Sequence, residues 1–318
     1  MSRSLSSVVI VVLSIIAALG GGWMYMHSKA RSKPIKTPFE HPYLKLAHQD
    51  DRPLLLFRAS SPGDFQTPAA DSKDSKVDRE ELAFNLGFWL DVRLTGDGSL
   101  FISHDERLKA GPAKGKPIEL ATKAECAAAG LHELLEFAPV LKDRPTVLNL
   151  ISRRPGLALR LLEVWGPQDQ KDDKPLPLQT TVAQSQSDGT LKELREAQPR
   201  GLYGSSQAVL IQLEILSSLD LQGLAELKSD ILISDIEERV AVRGDDVTAS
   251  GYVQRPRLRT TTLKEAKRRG LRRYAGPTSE LAIAKAMLAD GYDGVLTDSE
   301  EIVQHFFPTF QSRKTSTH

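Results

Sequence analysis

The sequence predicts an α/β fold, a (β/α)8 TIM-type barrel carried behind one N-terminal transmembrane helix. Three observations lead there. From Pro53 onward, short apolar runs alternate with helically patterned stretches, the pattern of a parallel sheet with crossover helices. The 318 residues, 40% of them hydrophobic, accommodate one barrel of the usual size, about 250 residues, together with an anchor. Leu5 to Met26 contains no charged residue, and about 20 apolar residues cross a bilayer as a helix.

The N-terminal run has the flanks of a span. Trp23 and Tyr25 fall near its end, where amphipathic rings favour the interface, and Lys29, Arg31, Lys33 and Lys36 follow. A cleaved signal peptide is the competing expectation, with Ser28 and Ala30 as the small residues of a cleavage site. Lys29 between them and the bulky stretch before them oppose it. The expected organisation is therefore a single-pass membrane anchor over 1–27, a polar tether over 28–52, a barrel over 53–310 and a disordered tail over 311–318. The membrane face stays open. The basic residues after the span outnumber Arg3 and the terminal amine before it and favour a cytoplasmic barrel, whereas extracytoplasmic domains usually have the opposite arrangement.

The strand candidates are Pro53 to Ala59, Phe88 to Leu94, Ser99 to His104, Thr146 to Ser152, Thr180 to Ser185, Gly201 to Ser205, Asp230 to Ser234, Arg272 to Gly276 and Asp293 to Asp298. The TGDG turn at Thr95 to Gly98 is too tight for a crossover helix, so it joins two strands in a hairpin-like excursion. Between the others lie LHELLEFAPVL, LALRLLEVW, TLKELREA, AVLIQLEILSSL, LKEAKRRG and SELAIAKAMLADG, with apolar residues at three- and four-residue spacing.

With 42 basic and 41 acidic residues, net charge +1, nothing in the bulk charge points to nucleic acid. The single Cys126 excludes an internal disulfide and reads as a small buried apolar side chain. The run Lys264, Lys267, Arg268, Arg269, Arg272 and Arg273 reads as a solvated helix face, with anionic lipid as the alternative.

In a barrel the site lies where strands end at their C-termini. The residues placed there are Arg58, Asp91, Arg93, His104, Asp105, Ser152, Arg153, Ser185 and Asp298. Strand alternation turns Asp91 and His104 toward the mouth. Asp91 is then either functional or the buried partner of Arg58 or Arg93, because buried carboxylates need partners. His104 is either an acid or base or a strand-end histidine bonded to Asp105.

The stretch LDVRLTGDGSLFISHDERL, Leu90 to Leu108, resembles the glycerophosphodiester phosphodiesterase motif of Glu-Leu-Asp-Val, a Thr-x-Asp-Gly turn and a His-Asp pair. LLLFRASSPGDFQTPAA from Leu54 resembles the family's opening strand with His-Arg-Gly and a later Glu-Asn-Thr. VLNLISR resembles the strand bearing Glu-x-Lys, and GYDGVLTDSEEIVQHF the terminal Gly-x-Asp-Gly-x-x-Thr-Asp signature. Together the matches run from about Pro53 to Phe306.

The resemblance implies acidic residues holding a divalent cation and two histidines as general acid and base. Carried over position by position, the first histidine falls on Phe57 and the three glutamates on Gln66, Trp89 and Ile151. Arg58, Asp91 and His104 match, and Arg153 stands in for the lysine. Asp91 is thus a residual metal ligand, with Asp64 the candidate replacement for a lost glutamate. One carboxylate does not hold Mg2+ or Ca2+, so no cofactor is expected and the pocket around Asp91 is expected to be apolar on several sides. The implied protein is a membrane-bound pseudoenzyme keeping the barrel as a binding or scaffolding module for a phosphodiester or lipid headgroup. The alternative is an active phosphodiesterase using His104, with Arg58 and Arg153 clamping phosphate and Mg2+ or Ca2+ in a reduced site.

Overall fold

The structure, a computed structural model, describes residues 18, 20–29, 41–65, 84–141, 144–152, 154–165, 181–199, 201–234, 236–241, 252–256 and 258–307. Its strands are β1 (Leu54–Arg58), β2 (Asn85–Leu94), β3 (Leu100–Ile102), β4 (His132–Glu133), β5 (Thr146–Leu150), β6 (Thr181–Gln184), β7 (Leu202–Tyr203), β8 (Ile231–Ser234), β9 (Ile236–Ala241), β10 (Tyr252–Pro256), β11 (Arg272–Thr278) and β12 (Gly294–Thr297). Among the described residues, parallel strands follow one another in the order β7-β6-β5-β2-β1-β12-β11-β8. A parallel bridge from Gly204 to Ile231 joins the two ends, with the Asp230 N–H donating to the Tyr203 carbonyl at 2.8 Å. The result is a nearly closed barrel.

Period-two alternation sorts the apolar residues into two layers. Leu54, Leu56, Trp89, Val147, Val182, Ile231, Tyr274 and Leu296 fill the interior. Leu55, Phe57, Phe88, Leu90, Val92 and Leu148 face outward, under helices including α4 (Leu157–Trp165), α5 (Asp188–Ala197), α6 (Gln207–Ser218), α7 (Thr260–Arg268), α8 (Leu281–Ala289) and α9 (Glu300–Phe306). The earlier helices are α1 (Pro42–Ala47), α2 (Lys123–Ala128) and α3 (Ala138–Leu141). Serine hydroxyls start three of them, Ser187 capping α5, Ser206 α6 and Ser299 α9, each satisfying a backbone donor that would otherwise be orphaned.

The expected hairpin forms. β2 and β3 pair antiparallel across the TGDG turn, where Gly98 takes the left-handed φ of 85° that only glycine adopts at no steric cost. β3 then pairs with β4, and Phe101, Leu108, Ile118, Ala121 and Cys126 form a separate small core. Cys126 is buried as expected, and burial pushes its thiol up to about 11.

Three expectations change. LHELLEFAPVL was expected to be helical throughout; His132 and Glu133 instead join the sheet, and a 3-10 turn at Leu134–Phe137 leads into α3. Sheet pairing with Phe101 and Ile102 satisfies the backbone groups a helix would have used. The antiparallel pair β9 and β10 has no counterpart among the expected strands. The stretch expected as tether, 28–52, is also partly inside the fold: α1 buries Tyr43 and Ala47 completely against the barrel interior.

The basic run is divided: Lys264 and Lys267 are exposed, as expected of a solvated helix face, whereas Arg269 and Arg273 are buried. Arg268 and Arg269 bond Glu265 and Arg273 pairs with Asp293 at 2.8 Å, while Arg269 also donates to the carbonyls of Ala225, Gln222 and Gly223. Most of the expected span and the whole tail over 311–318 lie outside the described residues. Residues 20–29 are helical, and Trp23, Met24 and Tyr25 are exposed. Among the described residues no helix is long and apolar enough to cross a membrane.

Candidate binding site at the barrel mouth

Alternation along β2 turns Trp89, Asp91 and Arg93 inward, and register supplies their neighbours. Arg58 at the end of β1 is in register with Trp89, and Asn149 on β5 with Asp91. The Asp91 carboxylate, 2% exposed, is the hub. Its Oδ1 accepts from Trp89 Nε1 at 2.8 Å and from Asn149 Nδ2 at 2.6 Å. Its Oδ2 lies 3.3 Å from Arg58 Nε and 3.0 Å from His104 Nδ1.

His104 reaches this hub because the β2–β3 excursion folds back over the mouth. Arg93 holds the turn, donating to the carbonyls of Ser103 and His104 at 3.1 and 3.0 Å. The imidazole is 65% exposed, so the ring edge away from Asp91 meets solvent.

Burial by itself would raise the Asp91 carboxyl. The His104 hydrogen bond, the Arg58 charge and the Asn149 and Trp89 donors together outweigh it and hold the group below its ordinary value. Asp91 is therefore an anion at neutral pH, despite its burial, because its partners favour the charged form.

Around this hub opens a cavity of about 970 Å³. It is lined by Arg58, His104 and Asp298, and by Ile151, Ser152, Ser185, Gln186, Ser187, Thr190 and Gln207 from the ends of β5 and β6 and the starts of α5 and α6.

The structure gathers Arg58, Asp91, His104, Ser152, Ser185 and Asp298 as expected. Asp298 stands 3.8 Å from Arg58 Nη1. Ser152 donates to Glu119 at 2.6 Å and Ser185 to the Leu150 carbonyl at 2.9 Å. Asp105 pairs with Lys109 at 2.8 Å, so the partner of His104 is Asp91 and not its sequence neighbour. Arg153 and Gln66 lie outside the described residues, and of Asp64 only the backbone, in the turn Pro62–Phe65, is described.

Two further expectations are corrected. Phe57 packs in the outward layer under the helices, since it follows inward-facing Leu56, so it does not occupy a place at the mouth. The surroundings of Asp91 are polar, because Trp89 turns its indole N–H and not an apolar ring edge toward the carboxylate. Asn149 was missed. Its inward parity on β5 was readable, but its register with Asp91 was not.

The described residues do not fit a divalent ion. Hard cations need several oxygen ligands with free lone pairs, and both Asp91 oxygens already face nitrogen groups, one of them a guanidinium. Among the described residues no group of three or more His, Cys, Asp or Glu is arranged to hold a metal.

No protein-family model matches the chain, and no curated protein matches it in sequence. Solved structures do match. A protein from Silicibacter pomeroyi assigned as a glycerophosphoryl diester phosphodiesterase superposes with TM-score 0.54 at 12% identity, over 85% of this chain and 98% of that one. The glycerophosphoryl diester phosphodiesterase domain of a Mycobacterium tuberculosis protein gives 0.53 at 14% identity, over 81% and 100%. A protein from Galdieria sulphuraria assigned as a glycerophosphodiester phosphodiesterase gives 0.52 at 12%, over 80% and 98%. At such identities the likeness establishes the fold.

Proposed function

We propose that this barrel, built on the glycerophosphodiester phosphodiesterase fold, is a membrane-anchored binding module that has lost the metal-dependent hydrolysis its sequence resemblance implies. One observation carries the reading: the Asp91 carboxylate is engaged by Arg58, His104, Trp89 and Asn149. A carboxylate so engaged orders the mouth and does not recruit Mg2+ or Ca2+. Arg58 and His104 at the cavity wall suit a phosphodiester or lipid headgroup, with hydroxyl and amide groups in the same lining for its polar remainder. The apolar run Leu5 to Met26 supports the anchor.

The test is calorimetry of the purified full-length chain in detergent with Mg2+, Ca2+ and a glycerophosphodiester, alongside hydrolysis assays. We expect heat with the phosphodiester, none with either cation, and turnover no faster than a His104→Ala control. Metal-dependent turnover abolished by Asp91→Ala would overturn the reading and make Asp64 the next residue to test.

A second reading is favoured by the His104 Nδ1 to Asp91 Oδ2 contact of 3.0 Å. A buried carboxylate holding an imidazole by one nitrogen leaves the other free for acid or base work on a substrate clamped by Arg58. Turnover that survives EDTA and disappears in His104→Ala would select it.

A further inference from the structure

The opposite end of the barrel carries a cluster of titratable groups that the mouth does not use. α1 lies across the interior there, Tyr43 packing with Leu54, Ile231 and Tyr274, while Asn85 Nδ2 donates to the carbonyls of Ala47 and Gln49, each at 3.1 Å. A buried histidine flanks α1 on each side.

Both histidines are wired as neutral rings. His41 is the N-cap of α1, and its Nδ1 accepts the Tyr43 backbone N–H at 3.2 Å, so that nitrogen carries no proton. His48 Nδ1 lies 3.4 Å from the Arg52 carbonyl and Nε2 2.9 Å from Tyr274 Oη. A carbonyl only accepts, so Nδ1 holds the proton and Nε2 accepts from the Tyr274 hydroxyl. Tyr43 Oη in turn donates to Tyr274 Oη at 3.4 Å. A further proton on either ring turns a needed acceptor into a donor: His41 can no longer cap α1, and Tyr274 loses the acceptor for its hydroxyl.

We propose that α1 is an acid-released latch, in which protonation of His41 and His48 detaches residues 41–51 from the barrel and converts a packed plug into a leash behind the N-terminal segment. Released, that stretch adds roughly 36 Å of reach at about 3.3 Å per residue. The release is independent of what the mouth binds.

The charges around the latch agree with it. Burial first and the Arg272 charge second bring His48 down to about 4, against Asp293, the Arg52 carbonyl and Asp51. Asp293 is already paired with Arg273 at 2.8 Å and with Arg272 at 3.6 Å. Burial also lowers His41, against Asp230. In the opened state each imidazole regains the ordinary value of 6.5, so for His48 the ratio of open to closed α1 rises about tenfold for each pH unit from 6.5 down toward 4.

The experiment is amide hydrogen exchange on the full-length chain in detergent at pH 7.5 and 4.5, corrected for intrinsic rates. Exchange across 43–48 should rise about a hundredfold at the lower pH while β1, β2 and β12 stay protected. His48→Gln, an amide that donates and accepts but does not titrate, should remove most of that rise. Equal protection of α1 at both pH values overturns the proposal, as does an undiminished rise in His48→Gln or loss of α1 and strand protection together. Should α1 already be open in His48→Gln at pH 7.5, the wild-type profile decides: a rise confined to α1 below pH 6.5 supports the latch, and a flat profile sinks it.

Discussion

At the mouth Asp91 is 2% exposed and stays ionised; at the opposite end His48, 7% exposed, stays neutral. Burial opposes the charged form in both places. The difference lies in the partners. Asp91 is met by a guanidinium, an imidazole and two N–H donors, which outweigh desolvation. His48 is met by a phenol and a carbonyl, with Arg272 nearby, and these satisfy a neutral ring only. One end thus keeps charge beside an open cavity, and the other keeps a sealed polar network without charge.

The largest effect expected from breaking this contrast is at the sealed end. Tyr274→Ala removes a fully buried ring shared by Tyr43 and His48 and should cost about 3–5 kcal/mol in denaturant unfolding. A loss below about 1 kcal/mol would show that this end is not part of the core.

Acid should separate the two ends. His48 has a folded value depressed from 6.5 to about 4, so the folded state takes up its proton later than the unfolded one. Its contribution is fully present above 6.5 and is lost as pH falls toward 4, up to about 3 kcal/mol. Asp91 is also depressed, from 3.8, but as an acid its contribution is present above 3.8 and is lost only below it. Stability measured against pH should therefore show two descents. His48→Gln should remove most of the first and Asp91→Asn the second; a single descent untouched by His48→Gln would refute the separation.

At neutral pH, Asp91→Ala should cost about 2–3 kcal/mol, below the usual 3–5 for a broken buried pair, because Arg58 is 17% exposed and regains some water. Replacing both partners, Arg58→Met with Asp91→Leu, should recover most of that loss in the same unfolding measurement, since no unpaired charge then remains.

The smallest expected effect is that of metal. Millimolar Mg2+ or Ca2+ should leave the Tm unchanged, because a ligand stabilises only the state that binds it. A clear concentration-dependent rise would mean that Asp91 exchanges its nitrogen partners for a cation.

The barrel strands were legible because each is a short apolar run bounded by turn residues, and the Thr95 to Gly98 turn announced its hairpin by composition. Arg58, Asp91 and His104 were legible as strand-end residues. Asn149 was not, because it meets Asp91 across 58 residues of chain through a register that no single strand encodes. Phe57 was misplaced for a related reason: a motif match assigns a position in the chain, whereas the pleat decides which face that position looks from.

The sequence by itself determined the parallel α/β class, the places of the barrel strands along the chain, the β2–β3 excursion and the apolar N-terminal run, since periodicity, turn chemistry and length act locally. Tertiary structure decided that Asp91 is saturated by donors, that Arg269 and Arg273 are internal, and that residues 41–51 belong to the fold. Those outcomes depend on which groups meet across strands and helices, and a polar stretch such as His41 to Asp51 reads as a linker until Tyr43 and His48 find Tyr274.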